Sequence, residues 1–342
     1  MKLLSLLTCL ALGAAACGAA AQSSVTLYGT IDVAARRTDT AGARRNAVDS
    51  SGAKASELGF TGREDLGGGL YAAFRLSADV FADTGTASAL FFGRESWVSV
   101  GGGFGEIRFG RDYVPTFVII SAFDPFRNVG VGANGGVANF GLNTNAGVST
   151  TVRASNGIVY LTPPMGGFFG RVHVAASEGV SGSGYRGVLA GYNRDKLRLM
   201  MGLGTAEVGV AGSTVNTGRL KMGGVNAAYD FGPVDLRLQY VRKDSSVGGG
   251  VMQSDLILSA VVPLGQHELK FKYDKVGQDF NASLAAVGYT YYLSKRTWLY
   301  ANYGNISNKS DNARFSVAGA APAVAGQRQR SSGAELGITH NF

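Results

Sequence analysis

The sequence predicts an all-β protein, a transmembrane antiparallel β-barrel of about sixteen strands. Three observations carry this expectation. Apolar and polar residues alternate along most of the chain in runs of strand length. No apolar stretch of ~18 residues follows the N-terminal segment, so helical spans are excluded. The connections between the alternating runs are short and long in turn, as in a barrel with tight turns on one side and loops on the other.

The elements follow in order. Met1-Lys2 precedes an apolar run from Leu3 to Ala16 and the small residues Ala19-Ala20-Ala21, which reads as a signal peptide over 1–21. Residues 22–342 are then one barrel domain. Ala14-Ala15-Ala16-Cys17 fits a lipoprotein cleavage site less well than Ala19-Ala20-Ala21 fits ordinary cleavage. Strands are expected at 25–37, 56–64, 69–82, 90–100, 105–111, 151–162, 168–178, 186–194, 196–206, 218–230, 234–245, 251–262, 267–277, 284–293, 298–307 and 333–342. Short turns fall at Asp65-Leu66-Gly67-Gly68, Gly101-Gly102-Gly103-Phe104, Arg194-Asp195-Lys196, Phe231-Gly232-Pro233 and Ser294-Lys295-Arg296, among others. Long connections are expected at 38–55, 112–150 and 308–332. The last strand carries Leu336, Ile338, His340 and Phe342 on one face, and Phe342 is expected to complete barrel closure and assembly. Tyr28, Trp97, Tyr291, Tyr292, Trp298 and Tyr300 lie near strand ends and suit interfacial girdles.

Composition supports the pattern. Gly is abundant at 51 residues and Pro scarce at 7, which suits tight turns and unbroken ladders. Mean hydropathy is +0.08, between a soluble average and a helical membrane protein. Cys9 and Cys17 both precede Gln22, so the remaining chain has no disulfide and no thiolate metal site. The net charge is +8, but the basic residues are dispersed without an aromatic-interleaved cluster, so no nucleic-acid partner is expected. His173, His267 and His340 stand in no nucleophile–base pattern, and no phosphate loop is present, so neither enzyme activity nor a cofactor is expected.

Specific segments add a resemblance. Ser23-Ser24-Val25-Thr26-Leu27-Tyr28-Gly29-Thr30-Ile31-Asp32 opens the barrel, and Leu58-Gly59-Phe60-Thr61-Gly62-Arg63-Glu64-Asp65-Leu66-Gly67-Gly68-Gly69-Leu70 follows. Phe104-Gly105-Glu106-Ile107-Arg108-Phe109-Gly110-Arg111 and the terminal His340-Asn341-Phe342 complete the set. Together they resemble the general outer-membrane porins of β-proteobacteria, which are trimeric sixteen-stranded channels. The resemblance implies that the third loop, 112–150, folds into the lumen as a constriction, and its Phe123-Asp124-Pro125-Phe126-Arg127 is similar to the family's loop. It also implies a homotrimer in the Gram-negative outer membrane with both termini periplasmic. The second loop, 83–89, departs from the family in being short and rich in small residues.

Parity places Arg36, Arg75, Arg108 and Arg153 on the lumen side, and Val33, Phe74, Phe109 and Ile158 on the lipid side. With Arg127 and the carboxylates of Asp79, Glu106 and Asp124, these arginines are expected to form a charge-separated constriction. The expected function is passive diffusion of small hydrophilic solutes and ions, with anions preferred. A substrate-specific channel or a plugged surface receptor of the same fold is the alternative. Partners would be outer-membrane lipid and lipopolysaccharide; Arg44-Arg45 and Arg328 with Arg330 could fork onto its phosphates, although solvated loop charge accounts for them more simply.

Overall fold

The computed structural model describes residues 24–133, 148–149, 151–209, 214–247, 250–311, 313, 315–319 and 328–342. The expected signal peptide and much of the third loop lie outside these residues. The chain enters as β1 (Ser24–Thr40) and turns at Ala41-Gly42 into β2 (Ala43–Ser50). After 51–56 it continues along the same edge of β1 as β3 (Glu57–Gly67). Next come β4 (Leu70–Phe81), the short β5 (Thr86–Ala87), β6 (Glu95–Gly102) and β7 (Gly105–Tyr113), then a helix α1 (Pro115–Ala122). The rest is β8 (Val148–Ser149), β9 (Arg153–Leu161), β10 (Phe168–Ala175), β11 (Tyr185–Arg194), β12 (Leu197–Gly209) and β13 (Asn216–Asp230). β14 (Asp235–Ser245), β15 (Val251–Leu264), β16 (His267–Gln278), β17 (Ala282–Tyr292), β18 (Thr297–Asn308) and β19 (Arg330–Asn341) complete it. β2 and β3 share one stave, and β5 and β8 are two-residue segments, so the nineteen strands close as sixteen antiparallel staves.

Closure is made by β1 against β19, with Thr30 opposite Asn341 through Thr40 opposite Ser331. Phe342 adds the last rung: its amide donates to the Gly29 carbonyl at 3.1 Å, and its carbonyl accepts from the Gly29 amide at 3.2 Å. The Phe342 ring lies where a Gly29 side chain would stand, so glycine is required there. At the turn between β3 and β4, Gly67, Gly68 and Gly69 all take left-handed φ of 61–82°, a run only glycine adopts without strain.

The two faces separate as the pleat requires. Phe109, Ile158, Leu203 and Leu258 stand exposed on the outside. At positions of the opposite parity, Asn226, Gln239, Lys243, Asp255, Asp274 and Thr339 are buried within. A charged residue on the lipid face near mid-membrane costs ~2–4 kcal/mol, so this register is strongly specified.

Three local expectations are corrected. The long first loop expected at 38–55 is instead strand to Thr40, a two-residue turn, β2, and a segment folded onto the wall. The Asp32 carboxylate holds that segment by accepting the amides of Gly52 (2.7 Å), Ala53 (3.1 Å) and Lys54 (3.0 Å). The strand expected from residue 90 begins at Glu95, because the preceding residues fold back and the Arg94 side chain turns inward. The aromatic girdle is also built from other residues than expected. Trp97, Trp298 and Tyr300 are buried on the lumen side, and Tyr28 faces inward with them, next to Arg75. Exposed aromatics at the short-turn rim include Phe104, Tyr160, Phe168, Tyr229, Phe231, Tyr289 and Phe342.

Deleting Phe342 should leave Gly29 without its backbone partners and impair assembly; the heat-modifiable folded band in outer-membrane fractions measures this, and a wild-type amount would contradict it. Phe74→Arg or Leu258→Arg should lower stability by ~2–4 kcal/mol in denaturant titrations of the lipid-reconstituted barrel. Unchanged midpoints would mean that the assigned register is off by one residue.

Candidate functional site: the lumen constriction

The third loop begins where Pro115 stops β7 and presets the first helical turn. α1 carries no charged residue, and Pro115, Thr116, Ile119 and Ile120 are buried. Ile119 fits against Gly202 and Gly224, where any Cβ would crowd it. Carbonyls near the helix end are satisfied from the wall: Asn226 Nδ2 donates to Ile119 O at 2.6 Å, and Gln239 Nε2 to Ile120 O at 3.4 Å. The chain then turns on Asp124, whose carboxylate accepts from the Phe126 amide (3.1 Å), the Asn128 amide (3.0 Å) and Lys272 Nζ (3.2 Å). Further on, the Val131 amide donates to Glu335 Oε1 at 3.2 Å. The loop therefore leaves β7, crosses the lumen and lies against β12 through β19.

A second inward segment fills the mouth on that side. Phe315 and Val317 pack with Val131, Phe280, Leu284 and Ile306, and the Phe315 amide donates to Asn308 Oδ1 at 3.0 Å.

The passage lies on the other side, between the loop and the 51–56 segment, β4, β7 and β9. It is a cavity of about 570 Å3 whose charged lining is Asp79, Arg94, Arg127 and Arg153. Tyr113, Phe117, Val118 and Ser121 supply the loop-side wall. Arg94 is the hub, donating to Glu57 at 2.9 Å, Asp79 at 2.6 Å and Tyr113 Oη at 3.0 Å. Arg153 donates to Tyr113 Oη at 2.9 Å, and its guanidinium stands 4.6 Å from that ring centre. Arg127 stands 5.5 Å from the Trp298 ring centre. Among the described residues, no carboxylate oxygen lies within 4.0 Å of the Arg127 or Arg153 guanidinium.

Of the expected constriction residues, Asp79, Arg127 and Arg153 are brought to this cavity. The others lie elsewhere, on the wall or in the loop, each in an ion pair. Arg36 is buried between Glu335 (2.8 Å) and Asp49 (3.0 Å). Arg75 meets Glu95 at 3.0 Å and stands 4.8 Å from the Tyr28 ring centre. Arg108 meets Glu106 at 2.8 Å and Asp112 at 3.2 Å, over the Trp97 ring. Asp124 is committed to the loop anchor. Sequence reasoning missed Arg94 and Tyr113. Arg94 sits after Gly93 at a loop–strand junction, where pleat parity does not apply, and Tyr113 ends a strand just before a helix.

An apolar exterior, a polar interior and an inward loop that leaves a charged passage together define a barrel channel. Residues 7–311 match the family model described as Gram-negative porin. Outer membrane porin protein 32 of Delftia acidovorans is 37% identical over 355 residues, covering 98% of this chain and 99% of that one. The major outer membrane protein P.IB of Neisseria meningitidis serogroup B is 26% identical, covering 91% and 96%. Among solved structures, the anion-selective porin from Comamonas acidovorans superposes with a TM-score of 0.84 at 34% identity, covering 94% and 100%. The chain belongs to the Gram-negative porin family. It is an outer-membrane β-barrel pore, as the resemblance implied.

The loop anchor generates a prediction. Replacing Asp124 with Asn and Lys272 with Met together removes the buried Asp124–Lys272 ion pair that holds the loop. The loop should then loosen, and single-channel conductance should become larger and noisier. Unchanged conductance in a correctly assembled double variant would mean that the pair does not hold the passage.

Proposed function

We propose that this porin passes small hydrophilic solutes and ions passively and favours anions. One observation carries the anion preference. Asp79 is matched to Arg94 at 2.6 Å, while among the described residues Arg127 and Arg153 face the same cavity without a carboxylate partner within reach. The passage thus has surplus positive charge. The solved relative described as an anion-selective porin supports the same reading.

In this reading residues 1–21 direct export and are removed, 22–342 form one barrel domain, and 112–150 act as the constriction loop. Arg36, Arg75 and Arg108, with their carboxylates Glu106 and others, form the surrounding charged wall that shapes the field. The barrel works as a homotrimer, in contact with outer-membrane lipid and lipopolysaccharide, and carries out no catalysis of its own.

A net favourable potential of only ~1 kcal/mol would enrich a monovalent anion about fivefold in the passage, which is modest for close charges in high dielectric. Guanidinium groups stay charged at any working pH, so the preference should persist from acid to neutral solution. Arg153→Glu with Arg127→Glu should move the zero-current potential toward cations, read in a planar bilayer under a salt gradient. Arg44→Gln, at the start of β2 beside the outer turn and already paired with Asp39 at 3.1 Å, should change it far less. A double glutamate variant with an unchanged zero-current potential would reject the assignment. Saturable block of conductance by one solute would favour a substrate-specific channel instead.

A further inference from the structure

The outer face of the barrel carries a groove used by neither the passage nor the closure. It runs along the outward side of β13, over Lys221, Gly223, Val225 and Ala227. Gly223 lies in a cross-strand row between Leu203 and Arg242, and a Cβ there would meet nothing nearer than 3.3 Å. The missing side chain leaves a hollow of about 690 Å3, walled by Met201, Leu203 and Tyr240. A second hollow of about 420 Å3 continues past Ala227 toward the short-turn rim. The walls are apolar and open to the outside, with Leu203 62% exposed. At the long-loop end the hollow is lined by the charged Lys221, Arg242 and Asp244, two cations to one carboxylate. Arg186 faces outward in the same cross-strand row as Lys221, two strands away, a backbone distance of ~10 Å.

We propose that this groove seats an acyl chain of a phosphate-bearing outer-leaflet lipid, with the phosphate held by Lys221 and Arg242. The proposal rests on the reading that this face meets the outer membrane. An apolar groove alone would take a chain from either leaflet. Cations at its long-loop end orient the occupant, because an ammonium and a guanidinium there match a phosphate at the extracellular surface. The run from Lys221 to Ala227 spans ~20 Å of strand, enough for one leaflet of a ~30 Å hydrocarbon core even with the strands tilted.

The test is native mass spectrometry of the detergent-solubilised, full barrel titrated with diphosphorylated lipid A. Wild type should retain it well above dephosphorylated lipid A. Lys221→Ser with Arg242→Ser should weaken retention roughly thirtyfold, the product of two near-surface cations. Gly223→Leu should weaken it by filling the hollow, and Arg194→Ser, on the outward face at the short-turn rim, should leave it unchanged. Equal retention of phosphorylated and dephosphorylated lipid, wild-type retention by the double variant, or dissociation of an oligomer by that variant would overturn the proposal. Single-channel conductance of the same variants separates the two readings: normal conductance with unweakened lipid retention rejects the groove alone.

Discussion

Every backbone amide and carbonyl that meets hydrocarbon must find its partner inside the protein, and this constraint organises the rest of the molecule. It forces the first strand onto the last, and the seam from Thr30 to Thr40 is where that requirement is met. The side chain that secures the seam is Asp32. Its carboxylate accepts the Gly52, Ala53 and Lys54 amides, the Tyr300 hydroxyl at 2.7 Å and the Thr339 hydroxyl at 2.5 Å. One buried carboxylate thus joins β1, β18, β19 and the segment before β3. A buried carboxylate is tolerated at such a depth only when donors surround it, as they do here.

A closed, rigid wall lets the third loop be pinned rather than left to move. The Asp124–Lys272 pair, the amides donated by Asn226 and Gln239, and the glycines opposite Ile119 fix it to the far side. The passage is what remains between the loop and the near wall. Selectivity then depends less on how many arginines face inward than on which of them lack an acid. Arg36 and Arg108 each meet two carboxylates, so their charge is largely cancelled at a distance. Arg127 and Arg153 rest on the rings of Trp298 and Tyr113, which hold a guanidinium in place without neutralising it.

Much of this was legible in the sequence. The period-2 alternation located the staves because one face of every strand meets lipid, and Phe74, Phe109 and Ile158 could only point outward. The closing role of β19 was visible in the stripe from Leu336 to Phe342. Where the chain leaves the pleat, the reading lost its footing. Alternation cannot reveal that Asp32 draws residues 51–56 onto the wall, because that depends on a carboxylate and three amides about twenty residues away in sequence. Nor can it place Arg94, which approaches the passage from a loop end. The aromatic residues misled for a related reason. Tyr28, Trp97 and Trp298 look like interfacial anchors by composition, yet their parity turns them inward to carry arginines. Parity also ranks Arg36 and Arg153 alike, since pairing with an acid on a distant strand leaves no trace in either residue's neighbourhood.

The most direct test is the zero-current potential of the wild-type pore across a planar bilayer under a tenfold salt gradient, repeated at low and high mean ionic strength. Surplus charge on Arg127 and Arg153 predicts a potential of the sign that marks anion preference. It should shrink as the Debye length falls from ~10 Å at 0.1 M to ~3 Å at 1 M. A potential of cation-preferring sign, or one near zero at low salt, would contradict the account of the constriction while leaving the barrel intact.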